Sequence, residues 1–193
     1  MDPLSILAMA AETVQQSDSY KSAPGFTIRR ARHADIPLLG PVERSAAELF
    51  RTANLDFLLD SPTLDQSFLA AMADSNHLWV AVDGMDEPIG FVGGENIEGN
   101  FHLVEISVAQ TFQGKGVGKI LMGQMTEEIK REGYKAITLT TYRDLPWNGR
   151  WYTRMGFLEV PLVEMGPEYW KIWQIEERHG FDMASRCLMK KIL

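Results

Sequence analysis

Two hydrophobic periods, strand-like alternation and the helical repeat, divide this chain into a regular series of elements. Apolar and charged positions alternate over 26–32 (FTIRRAR), which reads as a first strand. His33-Ala34-Asp35-Ile36-Pro37 reads as a helix start, since Asp35 can cap and Pro37 is tolerated in the first turn. Gly40-Pro41 is expected to interrupt that helix, after which Val42, Ala46, Leu49 and Phe50 recur at helical spacing. A loop around 56–62 leads to a second helix near 64–73, with Leu64, Phe68, Leu69 and Met72 on one face.

Three strands are read next, at 77–83, 89–97 and 101–108, joined by turns into an antiparallel meander. Gly90, Gly93 and Gly94 in the middle of these suggest a bulge or a close backbone approach. Alternation places Val104, Ile106 and Val108 on one face of the central strand and Glu105 and Ser107 on the other. An amphipathic helix at 117–131 buries Val117, Ile120, Leu121, Met125 and Ile129. It crosses over to a strand at 135–142, which should run parallel to the central one. Pro146 then opens a short helix that Gly156 closes. A strand at 157–162, a helix at 167–179 and a last strand at 186–193 complete the chain. This order predicts an α+β fold with one mixed sheet, a single domain over 26–193. The extension at 1–25 reads as a short docking helix or a frayed segment.

Composition narrows the function. The chain has 193 residues, 45% apolar and 23% charged, enough for one full core. Its net charge of −7 gives no general attraction to DNA, RNA or anionic lipid, and at most favours cationic partners such as amines. The single cysteine, Cys187, forms neither an internal disulfide nor, alone, a metal site, and reads as a small buried residue. His33, His77, His102 and His179 lack ligand spacing, so no metal is expected. No apolar run approaches membrane-spanning length, and Asp2 and Glu12 stand where a secretory signal would be basic. The expected setting is cytoplasmic, and exposed sheet edges leave room for a homodimer.

The chemistry concentrates after the central strand, in Gln113-Gly114-Lys115-Gly116-Val117-Gly118. Glycines here let the backbone turn tightly, and the helix that follows aims unpaired N–H groups and its positive dipole end at the same spot. Strand, glycine turn and helix N-terminus make a phosphate cradle. It is not a P-loop: Gly114 to Gly118 is one residue too short, and Ile120 follows Lys119 where Ser or Thr is required. The dinucleotide fingerprint fails too, because the third glycine comes one position early and no βαβ unit precedes it.

The pattern R/Q-x-x-G-x-G/A does fit, and Tyr152 is followed four residues on by Gly156-Phe157. Together with the element order, these motifs resemble the GNAT superfamily of N-acetyltransferases over 26–193. The resemblance implies acetyl-CoA as donor, held where two parallel strands splay apart. By position it implies that the backbone N–H groups of Gln113, Gly114, Lys115, Gly116, Val117 and Gly118 hold the pyrophosphate. The backbone of Ile106 and Val108 would pair with the pantetheine arm, and the Val108 N–H would polarise the thioester carbonyl. Tyr152 would protonate the departing thiolate, a transfer from a phenol of pKa ~10 to a thiolate of conjugate pKa ~8.5. Its alternative role is a packed tyrosine.

One position departs from the family. The asparagine often found seven residues before this tyrosine is Leu145 here, and Asn148 is the candidate substitute. The general base is open between His102, Glu105 and a water relay or no base at all. His102 matches a position used in several branches, whereas the parity of Glu105 places it on the opposite face unless the strand is bulged. Trp79, Trp147, Trp151, Trp170 and Trp173 are candidates for an acceptor pocket or, for most, core. Glu43 and Phe50 lie where the family's acceptor-side helices run. The implied activity is direct acetyl transfer to an amine of a small molecule, a lysine or an N-terminus in a ternary complex. The alternative is a non-catalytic acyl-CoA-binding module on the same fold.

Overall fold

The computed structural model describes residues 25–193, so the expected extension lies, up to residue 24, outside the described residues. The elements are β1 (Thr27–Arg30), α1 (Ile36–Ala47), α2 (Gln66–Asp74), β2 (Leu78–Val82), β3 (Pro88–Ile97), β4 (Asn100–Val108), α3 (Val117–Arg131), β5 (Ala136–Tyr142), α4 (Gly149–Arg154), β6 (Leu158–Glu159), α5 (Pro167–Arg178) and β7 (Arg186–Ile192). One seven-stranded sheet runs in the order β1-β2-β3-β4-β5-β7-β6. Its neighbours are antiparallel except β4 and β5, which are parallel as the helical crossover requires. The mixed α+β sheet expected from the sequence is the one observed.

Side chains from both sheet faces build the core. On one face, Leu121, Met122, Met125 and Ile129 of α3 pack with Leu103, Ile106, Val108, Ile137, Leu139, Tyr152 and Phe157. On the other, Leu39 and Val42 of α1 and Leu69 and Met72 of α2 cover Leu78, Val80, Phe91 and Val104. Farther along that face Tyr169 and Trp173 of α5 pack on Leu188. Burying one such side chain contributes about 1.5–3 kcal/mol. Among the described residues no helix is long and apolar enough to cross a membrane.

Four local expectations are corrected. Helix α1 runs through Gly40-Pro41 without interruption, because buried Leu39, Val42 and Ala46 hold both halves of the helix while the Pro41 ring faces solvent. Asp35 does not cap α1. Its carboxylate accepts the Arg32 backbone N–H at 2.7 Å and two Arg29 donors at 2.7 and 2.9 Å. Strand β6 is two residues long, since Pro161 and a 3-10 turn at Leu162–Glu164 end the extended run. Helix α4 begins at Gly149 rather than at Pro146, with the Asn148 carbonyl accepting the N–H groups of Trp151 and Tyr152.

The bulge that the glycines of β3 suggested is present, and it lies in β4. Gly93 pairs with Glu105 and Gly94 with Leu103, so Val104 is the extra residue. The bulge flips the side-chain parity along the strand. Val104 therefore packs with α1 and α2, while Ile106 and Val108 pack with α3. The neighbouring glycines permit it: a Cβ on Gly94 would collide with the His102 carbonyl oxygen, and one on Gly93 would lie 2.7 Å from Leu78.

Candidate active site

Strands β4 and β5 pair at only two positions, Phe101 with Ile137 and His102 with Thr138, and then part. From Leu103 onward one edge of β4 faces a gap. Which groups face it follows from the β3 ladder. Ala109 donates to Ile89 at 2.9 Å, so 89 and 109 form a hydrogen-bonded pair. Antiparallel alternation then makes Ser107–Phe91 and Glu105–Gly93 the bonded pairs. The N–H and C=O groups of Ile106 and Val108 accordingly turn away from β3, toward the gap. An extended ligand with alternating amides would add to that edge as a strand does.

Beyond β4 the chain makes a 3-10 turn at Gln110–Phe112 and enters the glycine loop. Gly114 (φ 71°) and Gly116 (φ 84°) are left-handed, the conformation in which a side chain is strained. Gly116 occupies the N-cap position of α3, a helix of 15 residues. The first-turn N–H groups of that helix, from Val117 on, have no carbonyl inside it to bond. The loop is tied down by Gln113, whose Nε2 donates to the Val108 carbonyl at 3.0 Å and the Ala46 carbonyl at 3.4 Å. The Gln113 backbone N–H is already donated to Gln110 at 3.3 Å, unlike the amides expected to meet a phosphate. Lys115 is exposed, with its Nζ 5.2 Å from the Phe112 ring centre. A turn of this kind at a helix N-terminus fits a diphosphate.

The bulge brings both base candidates to the same face, opposite Ile106 and Val108, but at different depths of the gap. His102 lies at the closed end, where β5 is still paired. Its Nδ1 is 3.0 Å from Thr138 Oγ1, which is 3.1 Å from the Tyr169 hydroxyl. That hydroxyl also meets Asn100 Nδ2 at 3.0 Å and the Ile97 carbonyl at 3.1 Å. Burial lowers the imidazole to about 4. Glu105 lies past the last pair, is fully buried, and accepts the Ser107 hydroxyl at 2.7 Å.

Tyr152 of α4 is fully buried, and its hydroxyl has no hydrogen-bond partner among the described residues. Burial raises this phenol well above its usual value. The Glu105 carboxylate raises it further and Arg186 opposes them, so both charges act on Tyr152. Asn148 holds α4 to the sheet through Nδ2 to Thr141 Oγ1 at 2.9 Å. Leu145 packs beside Tyr142 and Phe181.

The tryptophans divide as core and periphery. Trp79 and Trp151 belong to the core under α3, and Trp173 to the core under α5. Trp147 is buried, and its Nε1 has no hydrogen-bond partner among the described residues, while Trp170 is exposed. Glu43 is buried and takes the Leu64 N–H on both oxygens, at 3.0 and 3.3 Å, and burial raises it to about 8. The Phe50 ring packs tilted against Tyr142, with centroids 6.1 Å apart. Cys187 is buried, as expected, and its thiol is pushed up to about 12.

Sequence reasoning missed a buried ion pair. Arg186 donates through Nε to Glu176 Oε2 at 3.0 Å and through Nη2 to Oε1 at 2.6 Å. Thr140 donates to Glu176 Oε1 at 2.5 Å and lies 3.3 Å from Arg186 Nη2. The signal was present: Tyr169, Trp173 and Glu176 recur at helical spacing, which puts a carboxylate on the buried stripe of α5.

Comparison with known proteins agrees with this geometry. The model of the acetyltransferase (GNAT) family matches residues 44–157, more than half of the chain. PaiA N-acetyltransferase from Thermoplasma acidophilum, solved in complex with coenzyme A, superposes with a TM-score of 0.63 at 17% identity, covering 87% of this chain and 99% of that one. N-acetylglutamate synthase from Neisseria gonorrhoeae, solved with coenzyme A and N-acetyl-glutamate, gives a TM-score of 0.67 at 15% identity. That match covers 90% of this chain but only 36% of the longer synthase. The ribosomal-protein-S18-alanine N-acetyltransferase from Escherichia coli gives 0.60 at 14% identity, covering 86% of this chain and 93% of that one. At these identities the likenesses establish the fold, and the family match completes the identification: the chain belongs to the acetyltransferase (GNAT) family.

Proposed function

We propose that the protein transfers the acetyl group of acetyl-CoA directly to an amine, with Glu105 as general base and Tyr152 as general acid. The observation that carries this is the parted β4–β5 seam: the N–H groups of Ile106 and Val108 turn into it, and the buried Tyr152 hydroxyl has no hydrogen-bond partner among the described residues. The loop at Gly114–Gly118 would hold the diphosphate through backbone amides. The edge of β4 would hold the pantetheine arm, and the Val108 N–H would polarise the thioester carbonyl.

Glu105 is favoured over His102 on position. His102 sits at the paired end of the seam, bonded to Thr138, and at about 4 it is a weak base. Glu105 sits past the last pair, where an amine entering the gap meets it. A protonated amine of pKa ~10.4 is neutral only about one part in a thousand at pH 7, so proton removal is worth having. Tyr152, kept protonated by its burial, has a proton to give the departing thiolate.

The test is CoA thiol release from acetyl-CoA across a panel of amines. Glu105→Gln is expected to lower kcat/KM about 30-fold at pH 7. The loss should shrink as pH rises toward the amine's own pKa. His102→Gln should change the rate less than about threefold. Coenzyme A binding without turnover of any amine would replace this reading with the non-catalytic module.

A further inference from the structure

Tyr142 is the last residue of β5, at the open end of the seam. Its hydroxyl is buried and has no hydrogen-bond partner among the described residues. A buried hydroxyl left unpaired costs free energy in the free protein, and such groups in native structures ask for an explanation.

The ring is held firmly. Phe50 packs on it at 6.1 Å and Phe181 at 6.0 Å. The Arg186 guanidinium lies over its face at 4.9 Å, and is itself fixed by Glu176 and Thr140. An orphan donor on so rigid a ring is preorganised for something that arrives later. The period of two along β5 puts Tyr142 on the face of Thr138 and Thr140. Thr138 meets His102 on that face, which the bulge also gives to Glu105 and Ser107. The open end therefore offers a carboxylate from one strand and a phenol from the other, on the same side of the sheet. Phe50 and Leu58, from the segment after α1, pack with Tyr142 and Phe181 across that end.

We propose that Tyr142 is a specificity-determining residue, whose hydroxyl donates a hydrogen bond to a carbonyl or carboxylate oxygen close to the amino group of the acceptor. The amino group would face Glu105 and the oxygen Tyr142, so the acceptor carries an α-amino carbonyl unit rather than a bare alkylamine. Burial pushes this phenol up to about 12, which keeps it a donor at working pH. The inference rests on the acetyl-transfer reading above.

Matched amines test it: leucinamide against isopentylamine, and phenylalaninamide against 2-phenylethylamine, each pair differing only in the carboxamide on the amine-bearing carbon. Selectivity is read as the ratio of kcat/KM within a pair, and comparing Tyr142→Phe with wild type cancels the difference in amine basicity. Tyr142→Phe is expected to cut that ratio about 10- to 100-fold, mainly through KM for the amide. The KM for acetyl-CoA should stay unchanged. Its melting midpoint without ligand should be unchanged or higher, since the ring packing is kept and an unpaired hydroxyl is removed. An unchanged ratio overturns the proposal, and so does a lowered midpoint, which would give the hydroxyl a structural role. Release of no thiol by wild type with any amine sinks the acetyl-transfer reading itself and this inference with it. A leucine-initiated dipeptide as a third arm distinguishes peptide N-termini from free amino-acid derivatives as the source of the unit.

Discussion

At its closed end the β4–β5 seam carries His102, Thr138 and Tyr169; at its open end it carries Glu105, Tyr142 and Tyr152. Both sets are buried and polar. At the closed end the side chains bond one another in a chain from His102 through Thr138 and Tyr169 to the Ile97 carbonyl. At the open end two tyrosine hydroxyls have no partner among the described residues. The difference comes from the backbone: where β5 still pairs with β4, cross-strand side chains meet, and where the strands part they do not. Satisfied polar groups hold the fold, whereas unsatisfied ones at a gap are poised for a ligand.

The comparison breaks most visibly at Tyr152. Tyr152→Phe is expected to slow acetyl transfer about 1000-fold, as loss of a general acid does, while coenzyme A affinity by calorimetry stays within about twofold. Equal activity of the variant would make Tyr152 a packing residue and move the open end into the same class as the closed one.

The closed end should report through stability instead. A histidine titrates near 6.5 when unfolded and at about 4 here, so between those values the unfolded chain binds more protons than the folded one. This group's contribution is therefore intact above about pH 6.5 and lost as pH falls toward 4, on the order of 3 kcal/mol in all. Urea unfolding at several pH values should show that acid slope, and His102→Gln should flatten it.

The smallest effect is expected in the glycine loop proposed to hold the diphosphate, which would act through backbone and not side chains. Gly116→Ala forces an alanine to φ 84° and should cost about 1–2 kcal/mol of stability. It should weaken coenzyme A binding about tenfold, read by calorimetry, and leave the matched-pair selectivity untouched.

Much of this was legible in the chain itself. The order of strands and helices was readable because each element's period is carried by its own residues: alternation in 77–83, helical recurrence from Val117 to Ile129. The cradle was readable for the same reason, since Gln113 to Gly118 is one contiguous turn whose glycines act through local backbone geometry. Local punctuation was weaker evidence. Gly40-Pro41 reads as a break, yet the core under α1 overrides it.

What the sequence determined alone is therefore the contiguous part: a mixed-sheet fold, a glycine turn at a helix N-terminus and a tyrosine four residues before Gly156. Tertiary structure decided everything that depends on two strands at once. One bulged residue, Val104, set which face His102 and Glu105 share, and the parting of β5 set which of them lies past the last β4–β5 pair. The Glu176–Arg186 pair, and the Tyr142 hydroxyl left without a partner among the described residues, likewise join or leave alone groups distant in sequence. Local periods cannot encode such relations, because register and burial are fixed only when separate elements pack against each other.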